Sequence, residues 1–161
     1  MKAVFLDRDG VINHDPGDYT RSVEEFHILP AFLSQAKEWY DLGYILIVIT
    51  NQGGIAKGLY TANAVNAMHQ YLQGKCIEAG FRIQDFYFCP HHESYSGKCL
   101  CRKPGSLMVE KALHTYNIDA SKSIFFGDKD RDINCAVKAG VRGIKIEVNG
   151  RILSPQELNM A

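Results

Sequence analysis

The chain lacks any excess of charge of one sign. Eighteen lysine and arginine residues balance eighteen aspartate and glutamate residues among 161. A neutral protein has no broad electrostatic attraction for nucleic acid or for an anionic membrane, because both depend on many basic side chains acting together. We therefore expect no nucleic-acid partner and no membrane partner, and any anion must be captured at a local site.

Long hydrophobic runs are absent as well. The longest, residues 44–49, is far too short to cross a bilayer. At the N-terminus Asp7 interrupts the apolar run 3–6, so no secretion signal is visible and we expect a cytoplasmic protein. Hydrophobic residues make up 46% of the chain and charged residues 22%, the mix of an ordinary globular protein. The length suits one domain over residues 1–161.

Cysteine is scarce, but three of the five cysteines crowd between residues 89 and 101. Without a secretion signal, this crowding favours a metal site over a disulfide framework. Cys89, His91, Cys99 and Cys101 would make a Cys₃His set, which is a usual arrangement for structural zinc. His92 remains the alternative to His91 as the fourth ligand. We predict a zinc-binding loop at residues 89–104.

Short apolar runs alternate with longer amphipathic segments. The run 45–49 has no polar alternation, which is typical of a parallel strand covered on both faces. This order predicts an α/β fold, a Rossmann-like parallel sheet with helices on both faces. The predicted strands are 3–6, 45–49, 83–88, 123–126 and 141–146, and the predicted helices are 30–42, 61–80, 104–116 and 131–139.

Polar side chains follow three of these strands at the point where each strand ends. In open parallel sheets, ligands bind outside the carboxyl ends of the strands. We therefore expect these side chains to share one site at that edge of the sheet. They are Asp7 and Asp9 after the first strand, Thr50 and Asn51 after the second, and Asp128 with Lys129 after the fourth.

The Asp7–Gly10 segment offers two carboxylates that can serve a metal and a reaction together. Mg²⁺ prefers oxygen ligands, and a metal can screen the repulsion between a dianionic phosphate ester and an attacking Asp7. Asp9 could then protonate the leaving oxygen and later deprotonate water. An isolated pair of this kind is just as typical of a solvated turn. Asp128 offers one more metal carboxylate. Acidic clusters of this kind also arise as helix N-terminal caps, and Asp130 or Asp132 could serve only in that way.

Two further segments could stabilise a transferring phosphoryl group. Thr50 and Asn51 supply a hydroxyl and an amide for its oxygens. Arg102 and Lys103 supply positive charge, and they directly follow the cysteine cluster, which could hold them in place.

Four segments, in this chain order, resemble motifs one to four of the haloacid dehalogenase superfamily, and the resemblance covers residues 3–146. It implies an aspartyl-phosphate intermediate on Asp7, acid and base work by Asp9, and phosphoryl stabilisation by Thr50 and Lys103. It also implies Mg²⁺ bound by the Asp7 and Asp128 side chains and the Asp9 backbone carbonyl. The segments are Asp7-Arg8-Asp9-Gly10-Val11, Thr50-Asn51, Arg102-Lys103-Pro104 and Gly127-Asp128-Lys129.

The cysteine loop and residues 50–58 narrow the resemblance to the capless, zinc-containing phosphatases of the heptose 1,7-bisphosphate type. It implies a phosphorylated sugar substrate, losing its C7 phosphate on a route to lipopolysaccharide, and a monomer, since such relatives need no cap or partner. It also implies that eight residues contact the substrate, namely Asp15, Gly17, Asp18, Asn51, Gln52, Gly53, Arg102 and Lys129.

Two alternatives remain open at this point. Histidinol-phosphate phosphatases share the D-x-D-G and zinc patterns, although their segment after T-N-Q differs. A non-catalytic, zinc-stabilised binding module is the alternative of another class, but it leaves Asp7, Asp9 and Asp128 unexplained. We expect residues 13–29 to cover the site, with Tyr19 and Phe26 as packing residues or plain loop anchors.

Overall fold

Strands and helices alternate along the whole chain. The structure is a computed structural model that describes residues 1–161. The strands are β1 (Lys2–Leu6), β2 (Tyr44–Asn51), β3 (Asp85–Cys89), β4 (Ile124–Gly127) and β5 (Arg142–Lys145). The helices are α1 (Phe32–Asp41), α2 (Ala62–Glu78), α3 (Glu93–Ser96), α4 (Leu107–Thr115) and α5 (Asp130–Lys138). This confirms the predicted α/β fold without a cap domain.

The five strands form one parallel sheet in the order β3-β2-β1-β4-β5. The central strand β1 pairs with β2 on one side and with β4 on the other. The chain order therefore reverses at β1, and such a switch opens a crevice at the carboxyl ends of the strands. Asp7 is the first residue after β1, so it lies at this crevice.

Both faces of the sheet are buried, as the apolar runs predict. Side chains alternate along β1, so that Val4 and Leu6 join the core under α1 and α2, whereas Ala3 and Phe5 join the core under α4 and α5. All four side chains are fully buried. The two cores pack against opposite faces of β1 and thereby fix the position of the residues that follow it.

Two local features differ from the sequence prediction. β3 starts at Asp85 rather than at Ile83 because the Gln73 side chain takes the place of a neighbouring strand. The Ile83 N–H donates to Gln73 Oε1 at 2.9 Å, and Gln73 Nε2 donates to the Ile83 carbonyl at 2.7 Å. The helix α3 is only one turn long, too short to produce a periodic pattern in the sequence. None of the helices combines the length and hydropathy needed to cross a membrane.

Candidate active site

Three buried carboxylates meet at the carboxyl ends of β1 and β4. Asp7, Asp128 and Asp132 each present an oxygen atom within 4.8 Å of the others. Asp7 follows β1, Asp128 follows β4, and Asp132 lies in the first turn of α5. The sequence prediction gave Asp132 only a capping role, and it does accept a hydrogen bond from the Lys129 N–H at 3.1 Å. Its other oxygen joins the carboxylate cluster.

The buried ammonium of Lys103 lies inside this cluster. Lys103 Nζ is 2.8 Å from Asp7 Oδ1 and 2.7 Å from Asp132 Oδ1. It also donates to the Ile49 carbonyl at 2.8 Å. Burial by itself lowers the pKa of Lys103, but Asp7 and Asp132 outweigh it and raise the pKa. Lys103 is therefore charged, and one positive charge faces three acidic groups.

The carboxylate cluster has the properties of a cation site. Burial raises the pKa of Asp7 well above its usual value, while Lys103 lowers it and Asp132 and Asp128 raise it. Both carboxylate oxygens of Asp128 are buried without a hydrogen-bond partner. A buried charge without a partner is strongly unfavourable, and oxygen ligands suit Mg²⁺. Asp7 and Asp128 thus fit a divalent metal ion.

Gly10 explains how the chain leaves the crevice beside Asp128. Its φ angle is +87°, in the region that favours glycine. A Cβ atom at Gly10 would also lie 2.5 Å from Asp128 Oδ2. Any larger residue here would therefore strain the backbone and push into the candidate metal ligand.

Asp9 is held by donors at both carboxylate oxygens. Its Oδ1 accepts from Arg8 Nη2 at 2.9 Å, Arg8 Nε at 3.2 Å and Asn13 Nδ2 at 2.9 Å. Its Oδ2 accepts from Gln52 Nε2 at 3.0 Å. Burial alone would raise the pKa of Asp9, but the Arg8 charge and the hydrogen bonds from Asn13, Arg8 and Gln52 lower it. Asp9 is therefore ionised and oriented in the free protein.

The fully buried Arg8 connects Asp9 to His69 on α2. Arg8 Nη1 lies 3.5 Å from His69 Nε2, and the His69 ring stacks on Phe86 with centroids 4.6 Å apart. Burial lowers the pKa of His69 to about 3, and Arg8 lowers it as well, against a smaller raising effect of Asp9. His69 is therefore neutral and can accept from Arg8.

This histidine should make the fold sensitive to acid. An unfolded histidine has a pKa of about 6.5, so below that pH the unfolded chain gains a proton that folded His69 excludes. The free energy of unfolding should thus fall as the pH drops from about 6.5 toward 3, by about 1.4 kcal/mol per pH unit from this group. Denaturant unfolding of the parent chain and of His69→Gln at pH 7, 6 and 5 measures the difference.

Glutamine keeps an acceptor for Arg8 but does not titrate. The free energy of unfolding of His69→Gln should therefore depend less on pH than that of the parent chain, by the uptake of about one proton. His27→Gln, at an exposed position, is the matched control and should keep the parent slope. Equal slopes for His69→Gln and the parent chain would show that His69 titrates normally in the folded state.

Thr50 and Asn51, predicted to follow the second strand, are the last two residues of β2, and with Gln52 they support Lys103 and Asp9 through their side chains. Lys103 N–H donates to Asn51 Oδ1 at 2.9 Å, and Asn51 Nδ2 donates to the Lys103 carbonyl at 3.1 Å. The Asn51 amide thereby fixes the backbone that carries Lys103, a role that the sequence did not reveal. Thr50 is buried and its Oγ1 accepts from Gln52 Nε2 at 2.9 Å.

Arg102 and Gly53 lie together at the rim of the crevice. A Cβ atom at Gly53 would be 2.9 Å from Arg102 Nη1. Arg102 Nη1 donates to the His91 carbonyl at 3.1 Å, which ties this guanidinium to the cysteine loop. Lys129 is partly exposed, with its Nζ 3.6 Å from Asp128 Oδ2. Lys129 therefore borders the carboxylate cluster, whereas Gly53 and Arg102 contact each other and the cysteine loop.

Three other predicted substrate residues, Asp15, Gly17 and Asp18, lie in the loop after β1. The Asp15 backbone is held by Asn149, which accepts from its N–H at 2.6 Å and donates to its carbonyl at 2.9 Å. Gly17 N–H donates to Asp15 Oδ1 at 2.8 Å, and Asp18 pairs with Arg21 at 3.2 Å. The hydrogen bonds and ion pair of these residues lie within the loop or go to Asn149, so their substrate contact stays a prediction.

The two aromatic residues of the expected cover have different positions. Phe26 is buried, and its ring centroid is 5.4 Å from the Arg8 guanidinium carbon. Phe26 is therefore an anchor of the core beneath Asp9. Tyr19 is partly exposed and packs on Tyr60, with Lys57 Nζ 5.0 Å from its ring centroid.

The cysteine loop brings four candidate zinc ligands together. Cys89, His91, Cys99 and Cys101 each place a ligand atom within 4.8 Å of the others. The shortest separations are 3.2 Å between Cys101 Sγ and Cys89 Sγ and 3.3 Å between His91 Nδ1 and Cys101 Sγ. Tetrahedral zinc with bonds of about 2.0–2.3 Å spaces its ligands by about 3.5–3.8 Å, so the set fits the ion with small adjustments.

His92 is engaged elsewhere. Its Nδ1 accepts a hydrogen bond from the Ser94 N–H at 3.2 Å and caps α3. The geometry therefore selects His91 over His92 as the fourth candidate ligand. Cys76 and Cys135 are buried and lie outside the cluster.

The chain is similar to known phosphatases over most of its length. A family model described as HAD-hydrolase-like matches residues 100–149. The D-glycero-alpha-D-manno-heptose-1,7-bisphosphate 7-phosphatase of Photorhabdus laumondii is 38% identical over 88% of this chain and 79% of its own length. The D-glycero-beta-D-manno-heptose-1,7-bisphosphate 7-phosphatase of Escherichia coli K12 is 34% identical over 100% of this chain and 86% of its own.

The fold agrees with this similarity. The crystal structure of the D,D-heptose 1,7-bisphosphate phosphatase from B. bronchiseptica, complexed with magnesium and phosphate, superimposes with a TM-score of 0.83 and 31% identity. The superposition covers 89% of this chain and 79% of that one. The chain therefore belongs to the family of haloacid-dehalogenase-like phosphatases that contains the D-glycero-D-manno-heptose 1,7-bisphosphate 7-phosphatases.

Proposed function

We propose that the protein removes the C7 phosphate of D-glycero-D-manno-heptose 1,7-bisphosphate, with Asp7 as the nucleophile. The observation that carries the proposal is the placement of Asp7 at the sheet crevice. There its carboxylate contacts the Lys103 ammonium at 2.8 Å and faces the Asp128 oxygens, which accept no hydrogen bond. Relatives of both anomeric types support the substrate class.

The first half-reaction transfers the phosphoryl group to the protein. An Asp7 oxygen forms a bond to phosphorus while the bond between phosphorus and the sugar oxygen breaks. Asp9 gives a proton to that oxygen as it leaves. The donors around Asp9 keep it ionised in the free protein, but a dianionic phosphate beside it favours the protonated form. Substrate binding thus prepares Asp9 as the acid.

The second half-reaction restores Asp7. Asp9, now a carboxylate, takes a proton from water while the water oxygen attacks phosphorus. The bond between phosphorus and the Asp7 oxygen breaks, phosphate leaves, and Asp9 is protonated again. Arg8 and Asn13 hold Asp9 on one side, so the same carboxylate can serve both steps without losing its orientation.

Three groups stabilise the charge of the transferring phosphoryl group. The Asp7 and Asp128 side chains and the Asp9 backbone carbonyl would hold Mg²⁺, which when bound supplies positive charge that screens the repulsion between Asp7 and the phosphate. Lys103, held by Asp132, places a second positive charge beside Asp7. Thr50 Oγ1 accepts from Gln52 and donates only over 3.4 Å to the Asn51 carbonyl, so its hydroxyl proton can turn to a phosphoryl oxygen.

The cysteine loop is proposed to bind one structural Zn²⁺ through Cys89, His91, Cys99 and Cys101. Arg102 and Lys103 come directly after the last ligand, so a closed metal site would fix both at the rim of the crevice. Small displacements of such positioning groups are expensive in rate. The loop 89–104 would thereby support catalysis mechanically within a single phosphatase domain.

A side-by-side assay tests the proposed substrate. Purified protein with Mg²⁺ should release phosphate from heptose 1,7-bisphosphate much faster than from histidinol phosphate, and a mild chelator should stop the reaction because oxygen sites hold Mg²⁺ loosely. Each anomer of the heptose is assayed separately. Preference for histidinol phosphate would contradict the assigned sugar while keeping the catalytic residues. Turnover of neither would refute both substrates.

A further inference from the structure

Tyr60 makes a buried hydrogen bond next to the candidate active site. Its hydroxyl donates to Gln52 Oε1 at 2.6 Å. Tyr60 is 8% exposed and Gln52 is 2% exposed, so water does not compete strongly for this bond. Both residues lie between the end of β2 and the start of α2.

This bond decides which way the Gln52 amide points. The oxygen and nitrogen ends of an amide are nearly equal in shape, so partners must set its orientation. With Oε1 committed to Tyr60, Nε2 faces the crevice and donates to Asp9 Oδ2 at 3.0 Å and to Thr50 Oγ1 at 2.9 Å. A glutamine amide has only two N–H donors. Both are therefore used inside the protein.

The Tyr60 ring is fixed by close packing against the preceding turn. A Cβ atom at Gly54 would lie 2.2 Å from Tyr60 Cε1, so only glycine leaves room for the ring there. On another side the ring packs against Tyr19, with centroids 6.0 Å apart. The packing thus fixes the position of the Tyr60 hydroxyl, and this position sets the orientation of the Gln52 amide.

We propose that Tyr60 is a positioning residue for the phosphoryl transfer, acting through Gln52 on Asp9 and Thr50. The inference rests on the proposed function and deepens it. Thr50 Oγ1 accepts from Gln52, and its own hydroxyl donates only over 3.4 Å to the Asn51 carbonyl, so that proton can turn to a phosphoryl oxygen. Because Asp9 Oδ2 accepts from the same amide, the acid and the hydroxyl donor keep a fixed relative position.

Loss of the Tyr60 hydroxyl removes the preference for one orientation of the Gln52 amide. In a flipped amide, Gln52 Oε1 would face the Asp9 carboxylate, and two acceptors repel each other. The same Oε1 would take the Thr50 proton away from the phosphoryl group. Substrate binding depends less on these contacts than the proton transfer does, so the effect should fall on kcat rather than on KM.

Tyr60→Phe tests the inference because it keeps the ring and removes only the hydroxyl. A general acid contributes about 10²–10⁴-fold in rate, and loss of its alignment should lower kcat for heptose 1,7-bisphosphate by about tenfold, with KM changed by less than about twofold. The rate of p-nitrophenol release from p-nitrophenyl phosphate in the first turnover should fall less, because this leaving group needs no proton. A merely structural role would slow both substrates equally.

A double-mutant cycle shows whether the effect passes through Gln52. Gln52→Met keeps the length of the side chain without polar atoms, and adding Tyr60→Phe to it should cause no further loss. Tyr40→Phe is the matched control, since Tyr40 packs against Phe81 away from the crevice and should keep parent kinetics.

Two results would overturn the positioning role. One is a Tyr60→Phe protein with the kcat of an active parent chain. The other is a Tyr60→Phe loss that remains in full when Gln52→Met is already present, because Tyr60 would then act without the amide. A parent chain that turns over no phosphate ester would instead refute the proposed function, so the two failures are distinguishable.

Discussion

Asp7→Asn should abolish phosphate release, with a loss of about four orders of magnitude or more in kcat. Asparagine has the same size and can still accept from Lys103 through its oxygen, but it lacks the carboxylate that attacks phosphorus. The reaction would then have no covalent route, and water would have to attack the ester directly. Phosphate release from saturating substrate, measured with the parent and variant at equal concentration, gives the ratio.

The variant should also fold at least as well as the parent chain. Burial and the neighbouring Asp132 and Asp128 raise the pKa of Asp7, so its charge is unfavourable in the metal-free protein. Removal of that charge should leave the melting temperature in chelator unchanged or higher. Asp41→Asn, at an exposed ion pair with Lys37, is the control and should keep full activity. Undiminished turnover by a clean Asp7→Asn preparation would rule out Asp7 as the nucleophile.

Cys99→Ser should remove zinc from the protein and lower its stability sharply. We expect about one zinc per parent chain after dialysis, and little in the variant, because a structural zinc site needs all four ligands. Zinc binding in such sites is worth on the order of 10 kcal/mol, so the melting temperature should fall by many degrees. Metal analysis and thermal unfolding on the same samples measure both effects.

The same variant should lose most of its phosphatase activity, since Arg102 and Lys103 would follow an unfixed loop. Cys76→Ala provides the matched control, because Cys76 is a buried thiol outside the cluster. This variant should retain zinc. If Cys99→Ser kept a full zinc complement and the parent melting temperature, the assigned ligand set would be wrong.

Much of the fold could be predicted from local patterns in the sequence. The apolar runs mark the five strands to within a few residues, and their lack of polar alternation indicates a sheet covered on both faces. The boundary of β3 escaped because the Gln73 side chain, ten residues earlier than Ile83, supplies the hydrogen bonds there. Strand pairing is also a long-range property, so the order β3-β2-β1-β4-β5 required the structure.

Some residues of the candidate site could also be predicted from the sequence, and others could not. Asp7 and Asp128 were predictable because each follows a strand directly, and Asp9 was predictable because it lies two residues beyond Asp7. Asp132 was missed because only the first turn of α5 brings it to the cluster. The Gln52 contacts span 43 residues to Asp9 but only eight to Tyr60. Such spacings do not indicate a contact in the sequence, and neither a glutamine nor a tyrosine in a loop is typical of a particular function.

The sequence alone did not identify the fourth candidate zinc ligand. His91 and His92 are adjacent and chemically equal, so spacing alone left both open. The structure separates them because His92 caps α3, whereas His91 Nδ1 faces the three sulfur atoms. Backbone direction at one position thus decides the ligand, and this direction depends on how the loop packs.

The location of the phosphoryl group during turnover shows whether Asp7 is the nucleophile. A single turnover with Mg²⁺ is quenched on the millisecond scale and treated with borohydride, which reduces an aspartyl phosphate to homoserine, and peptide mass spectrometry then locates the change. We predict homoserine at position 7 in the parent chain and none without substrate. Modification of a different residue, or complete phosphate release with Asp7 never modified at any quench time, would contradict it.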